Sequence, residues 1–199
     1  MTWHTSSRER RLWCWTFAVL GSIYAAAALA GSLVNAIGSE LLLGIAFAGG
    51  FTLAIAAILG MALARGSHTE GWVALGVAAS YVMLPVRLGI PALERTHLFE
   101  YGLLATLLYE ALNERAKSGT RFPTPGLLAV VSASLLGWLD EGLQWLLPNR
   151  VYDVRDVGVN CLAAVIAVGA VAATRWLRSR HSVPPTPPDR ATESPPHPK

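Results

Sequence analysis

Residues 125–148 read PGLLAVVSASLLGWLDEGLQWLLP. The stretch is apolar with small residues as far as Leu139, then carries Asp140, Glu141 and Gln144 before closing on Pro148. A run of about 20 predominantly apolar residues is long enough to cross the hydrocarbon core of a bilayer as a helix. An open strand would leave its backbone unsatisfied in lipid, so a helix is the form such a run takes. An ionisable side chain at the centre of a membrane helix costs about 2.5–3.5 kcal/mol even on the mild insertion scale. Carboxylates at the end of such a run therefore point to a shared polar site at one face of a membrane helix bundle. On a helix, Asp140, Glu141 and Gln144 group on one side. Ser134 and Gly137 continue that helix inward as small residues, which permit close helix approach.

A second stretch, Arg95-Thr96-His97-Leu98-Phe99-Glu100-Tyr101, has the same character. His97, Glu100 and Tyr101 stand at i, i+3 and i+4 and share a face at one end of a further apolar run. Beyond Pro148 the chain continues through Arg150, Asp153 and Arg155 to Asp156 and Asn160, which open the last apolar run. Asp156 suits a helix N-terminus, where the dipole favours a carboxylate and free amides need caps.

Composition agrees with a membrane protein. The 199 residues are 53% hydrophobic and only 15% charged, with a mean hydropathy of +0.42. Trp and Tyr cluster near the ends of the apolar runs, as an interfacial belt would place them. A net charge of +3 gives no basic surface of the kind nucleic acid requires. The expected fold is all-α: a polytopic integral membrane bundle of about six transmembrane helices. The spans run over about Leu12–Asn35, Leu41–Ala64, Trp72–Ile90, His97–Leu112, Pro125–Leu147 and Val157–Leu177. The third is the weakest, because Pro85 and Arg87 interrupt it. Arg8, Arg10 and Arg11 could form the head of a signal peptide, but the apolar stretch that follows exceeds a typical h-region, which favours a retained anchor helix.

With six spans and a cytoplasmic N-terminus, all but Arg87, Arg95, Arg150 and Arg155 of the 16 Lys and Arg fall on the cytoplasmic side. Without the third span the split becomes even. The positive-inside rule therefore favours six spans in the cell membrane with both termini cytoplasmic, and it sets both polar stretches on the outer face. Residues 1–87 form the N-terminal spans and 88–178 the polar-site domain. The Pro-rich tail, residues 181–199, lacks the apolar residues that offset ordering entropy and is expected to be disordered and cytoplasmic. Cys14 and Cys161 fall near opposite faces, out of disulfide reach, and read as small packing residues. His4 and His68 read as solvated loop residues.

Arg95-x-His97-x-x-Glu100-Tyr101, followed by Asp140-Glu141-x-x-Gln144-x-x-x-Pro148-x-Arg150-x-x-Asp153-x-x-Asp156-x-x-x-Asn160, resembles the VanZ-like membrane protein family. The resemblance covers roughly residues 88–178. The ordered combination is more specific than any of its parts. One departure is visible: the family tends to have Gly shortly after the Asn, and Ala163 and Ala164 stand here. The family's namesake is associated with low-level resistance to teicoplanin, a lipoglycopeptide acting at the outer membrane surface. The resemblance thus implies a cell-envelope role, without a biochemical mechanism.

Three readings of the site remain open. It is a structural ion-pair network joining three helices, with pairs such as Arg150 to Asp140 or Asp153 and His97 to Glu100. Or it is a binding module, in which Arg87, Arg95, Arg150 and Arg155 hold an anionic lipid-linked or cell-wall-related ligand. Or it is an enzyme acting on a phosphorylated lipid, with His97 moving a proton, Glu100 orienting it, Asp140 or Glu141 as second acid or base, and Arg150 stabilising negative charge. There is no nucleophile motif, Gly-rich phosphate loop or zinc-type His/Cys pattern, so no cofactor or metal is expected. A hard divalent cation on Asp140, Asp153 and Asp156 is a minor alternative. Transport is disfavoured, because the polar groups lie at one face and no paired half-helices occur. Glu110, alone toward the other side, reads as a snorkelling side chain.

Overall fold

The computed structural model describes residues 6–37, 42, 45, 49, 68–89, 96–119, 124–147 and 152–181. Among them are five long helices and no strand: α1 (Ser7–Ile37), α2 (His68–Leu88), α3 (Thr96–Lys117), α4 (Pro125–Trp145) and α5 (Val154–His181). All of the second expected span except residues 42, 45 and 49, and the tail beyond His181, lie outside the described residues.

Local chemistry sets the helix starts. Ser6 precedes α1, and its Oγ accepts the Glu9 amide at 3.0 Å. Ser6 and Glu9 have the spacing of a capping box. Pro125 occupies the first turn of α4, where its missing N–H would have no helical partner. The cap of α5 is Asp153, whose Oδ1 accepts the Arg155 amide at 2.7 Å. Asp156, expected to cap, instead sits inside the first turn and is buried. α2 runs unbroken past position 85, although Pro85 was expected to weaken this span. His68, expected in a loop, opens the same helix.

α3 is the hub and packs against α1, α4 and α5, while α2 lies along α5. Leu98, Tyr101, Leu104, Ala105, Leu108 and Leu112 of α3 meet Ala129 and Ala133 of α4 and Val159, Ala163, Ala164 and Val168 of α5 in one core. Ala129, Ala133 and Gly137 repeat every four residues, a small-residue seam of the kind that lets membrane helices approach. A Cβ on Gly137 would stand 2.9 Å from the Cβ of Asn160, so this crossing requires glycine. Gly102 is bound by the same constraint, because a Cβ there would run into the Tyr81 hydroxyl. Ala163 and Ala164, which stand where the resembled family favours glycine nearby, are fully buried.

α4 has the sidedness of a membrane helix. Leu127, Leu135, Trp138 and Trp145 are exposed, at 52–68%, while Asp140, Glu141 and Gln144 are buried at 1%, 1% and 4%. In a water-soluble domain, charged groups are almost never the buried ones. Four of the five described helices, α1, α2, α4 and α5, contain segments long and apolar enough to cross a membrane. α3 is not among them, and its neighbours enclose most of its length.

Candidate functional site

The N-terminus of α3, the C-terminal end of α4 and the N-terminus of α5 come together at one end of the bundle, referred to below as the His97 end. His97 lies on the first turn of α3. Its Nδ1 stands 3.9 Å from Oε2 of Glu100 and 3.9 Å from Oδ2 of Asp140. The imidazole stacks on the Tyr101 ring, with centroids 6.2 Å apart and 14° between planes. Tyr101 is fully buried, and its hydroxyl faces the Asp140 carboxylate.

On α4, Gln144 ties the two adjacent carboxylates together. Its Nε2 donates to Oδ2 of Asp140 at 3.3 Å and to Oε1 of Glu141 at 3.4 Å. The helical spacing of these residues makes the arrangement possible, because 140, 141 and 144 fall on neighbouring rows. Donor atoms of His97, Asp140 and Glu141 all lie within 4.8 Å of one another.

Asn160 enters from α5. It is fully buried, packs directly over Gly137, and neither atom of its amide has a hydrogen-bond partner. Gly137 lies one turn before Asp140 and Glu141 on the same buried face, so Asn160 sits about one turn from the carboxylates. Asp156 stands one turn before Asn160 on α5 and is buried.

Of the expected site residues, the structure thus gathers His97, Glu100, Tyr101, Asp140, Glu141 and Gln144, with Asn160 buried against Gly137 one turn away and Asp156 buried a turn further along α5. Asp153 is exposed and serves the backbone as a cap. The trio Asp140, Asp153 and Asp156 does not emerge as a donor set; the group with donor atoms close enough is His97, Asp140 and Glu141. Arg95, Pro148 and Arg150 lie outside the described residues. Arg155 and Arg87 are exposed.

Tyr24 of α1 joins the site without having been singled out in the sequence. Its hydroxyl donates to the Leu136 carbonyl at 3.1 Å and lies within electrostatic reach of Asp140. The only signal was a phenol in the middle of an Ala-rich run, away from the interface where a belt tyrosine belongs. Tyr81 of α2 performs a related task lower in the bundle, donating to the Ala163 carbonyl at 3.3 Å and packing on Phe99.

The opposite end holds a second polar cluster. Glu9, fully buried on α1, accepts from Arg115 Nη1 of α3 at 3.0 Å. Glu110, far from being alone, meets Arg8 of α1 at 3.3 Å and Arg175 of α5 more closely still. Arg8 also stands 3.7 Å from Glu114. Lys117 donates to Glu114 at 3.0 Å and holds its carboxyl below the usual range. Cys14, on the outward side of α1, is exposed rather than a packing residue, and both cysteines are free.

Compared with family models, curated proteins and solved structures, the chain finds no match in any of them. The reading of its function therefore rests on its own residues.

Proposed function

We propose that this chain is a VanZ-like integral membrane protein of the cell envelope, whose His97-end site binds an anionic lipid-linked or cell-wall-related ligand at the outer membrane face. The proposal includes six spans, a second span over about 41–64, both termini in the cytoplasm, and a link to glycopeptide resistance of the teicoplanin type. Lys and Arg asymmetry supports the orientation.

One observation carries the preference for binding over a structural network. A network kept for stability satisfies its members, because each buried unpaired polar group costs about 1–3 kcal/mol. Asn160 is buried with both amide atoms unmatched. A ligand group arriving between α4 and α5 would complete it. Exposed Arg87 and Arg155 flank the same end by connectivity and suit a phosphate on the ligand.

His97, set between two carboxylates at 3.9 Å, favours one second reading. In it the site is an enzyme that uses His97 for proton transfer on a phosphorylated lipid, with Glu100 and Asp140 to either side.

Retention of radiolabelled polyprenyl phosphate by the protein in nanodiscs tests the proposal. Binding should weaken in Arg155→Gln and Asn160→Leu. Turnover that disappears in His97→Ala would turn the conclusion toward catalysis. Absence of retention, or a reporter-fusion map with the 148–155 connection in the cytoplasm, would remove the proposal.

A further inference from the structure

We infer that His97, Asp140 and Glu141 form a binding site for a first-row divalent metal ion, with Asn160 as a further neutral donor. The inference goes beyond the lipid-ligand reading and rests on side-chain geometry alone.

The donor set comes first. One imidazole and two carboxylates suit Zn²⁺ and its first-row neighbours, which accept mixed nitrogen and oxygen ligands. Two ligand atoms each about 2.1 Å from one ion stand roughly 3–4 Å apart. His97 Nδ1 and Asp140 Oδ2 are 3.9 Å apart, beyond hydrogen-bond length yet inside this window. All three donors lie within 4.8 Å of one another, so a small contraction would close them on a shared centre.

The surroundings provide what a metal ligand needs from its neighbours. Gln144 donates one amide nitrogen to both carboxylates, turning Asp140 and Glu141 the same way. Tyr101 stacks against the imidazole and fixes its plane. Outer partners of this kind orient ligands and tune affinity. The side chains of Asp140 and Glu141 are buried, and that of His97 is only 12% exposed. Taking carboxylates out of water costs several kcal/mol per ion, and a divalent cation between them offsets that charge.

Asn160 supplies the independent sign of a missing ligand. It is fully buried on α5, a different helix from any of the three donors, and its amide lies against Gly137, one helical turn from Asp140 and Glu141. Both polar atoms lack a hydrogen-bond partner. Gly137, by having no side chain, leaves that amide room. An amide oxygen is an ordinary neutral ligand for a divalent ion, and a metal would satisfy an atom that the protein leaves unsatisfied.

The full-length protein, stripped with chelator in detergent, would be reloaded with Zn²⁺, passed over a desalting column and assayed for bound metal. One ion per chain is expected to remain. Asp140→Asn and Glu141→Gln should each weaken Zn²⁺ affinity by more than ~100-fold, since outer partners alone carry 10–100-fold. Asn160→Leu should weaken it about 10-fold. Glu114→Gln, at the opposite end, should retain the metal. Co²⁺ loading of the unsubstituted chain decides the matter even if a variant fails to fold. Intense visible bands of a four- or five-coordinate ion are expected. Only the weak spectrum of the aqua ion, or Zn²⁺ retention no greater than that of Asp140→Asn, overturns the inference. A chain that holds Zn²⁺ but not polyprenyl phosphate upholds this site and removes the lipid-ligand reading.

Discussion

Among the described residues, the two ends of the bundle arrange their polar groups differently. At the Glu9 end, acids and bases from three helices meet as complementary pairs: Glu9 with Arg115, and Glu110 with both Arg8 and Arg175. At the His97 end, among the described residues, the carboxylates of Glu100, Asp140 and Glu141 stand around a single imidazole, and the Asn160 amide nearby is unmatched. The first arrangement fastens helices. The second, among the described residues, leaves the buried Asn160 amide unsatisfied, which lowers stability unless something else binds. Functional sites are commonly held against stability in this way.

Thermal unfolding in detergent can break or sharpen this contrast. The largest effect is expected at the Glu9 end. Glu9→Gln or Arg115→Met strands one member of a buried pair and should cost about 3–5 kcal/mol. Replacing both, as Glu9→Leu with Arg115→Met, should recover most of the loss. A small effect from either single change would mean that this end does not fasten the helices.

Close packing gives the next effect. Gly102→Ala drives a methyl into the Tyr81 hydroxyl and should cost about 1–3 kcal/mol. Tyr81→Phe in the same chain should relieve the clash, and failure of that rescue would locate the strain elsewhere.

At the His97 end the sign should reverse. Asn160→Leu keeps the shape and removes an unsatisfied buried amide, so the metal-free protein should gain about 1 kcal/mol. Asp140→Asn should leave the melting temperature unchanged or raised. A large fall in both would make this end structural as well and erase the contrast between the two clusters.

The smallest effect concerns pH. Glu114 is held below its ordinary carboxyl range by Lys117. Its folded form is therefore favoured above the unfolded pKa, and that contribution is lost as pH falls through the folded value. Glu114→Gln should slightly flatten the acid side of a melting-temperature profile and leave the neutral region nearly unaltered.

Much of the His97 end was legible because helical spacing alone puts 97, 100 and 101 on one face and 140, 141 and 144 on another. The apolar runs likewise foreshadowed the five described helices, with ends shifted by a few residues. The caps were less legible: Asp153 and Asp156 both suit a helix start, and only the backbone decides which one reaches the free amide. The Glu9 end was not legible. Glu9 sits among Arg8, Arg10 and Arg11 and reads as part of a basic flank, while its partner Arg115 is more than a hundred residues away. Glu110 looked isolated for the same reason. Sequence spacing exposes partners on one helix and hides partners on different helices.

The position of α3 has a consequence for biogenesis. This helix carries the centre of the bundle, yet it is the described helix that lacks an apolar segment sufficient to cross a membrane by itself. Its most extensive partner, α5, and also α4 are synthesised after it. In a membrane, α3 could not settle in lipid as soon as it emerges. It would wait at the interface or beside α1, whose Glu9 can meet Arg115, until the later helices arrive to enclose it. A chain truncated after Lys117 should therefore leave α3 poorly integrated, and the last two helices would act as the insertion partners of the one before them.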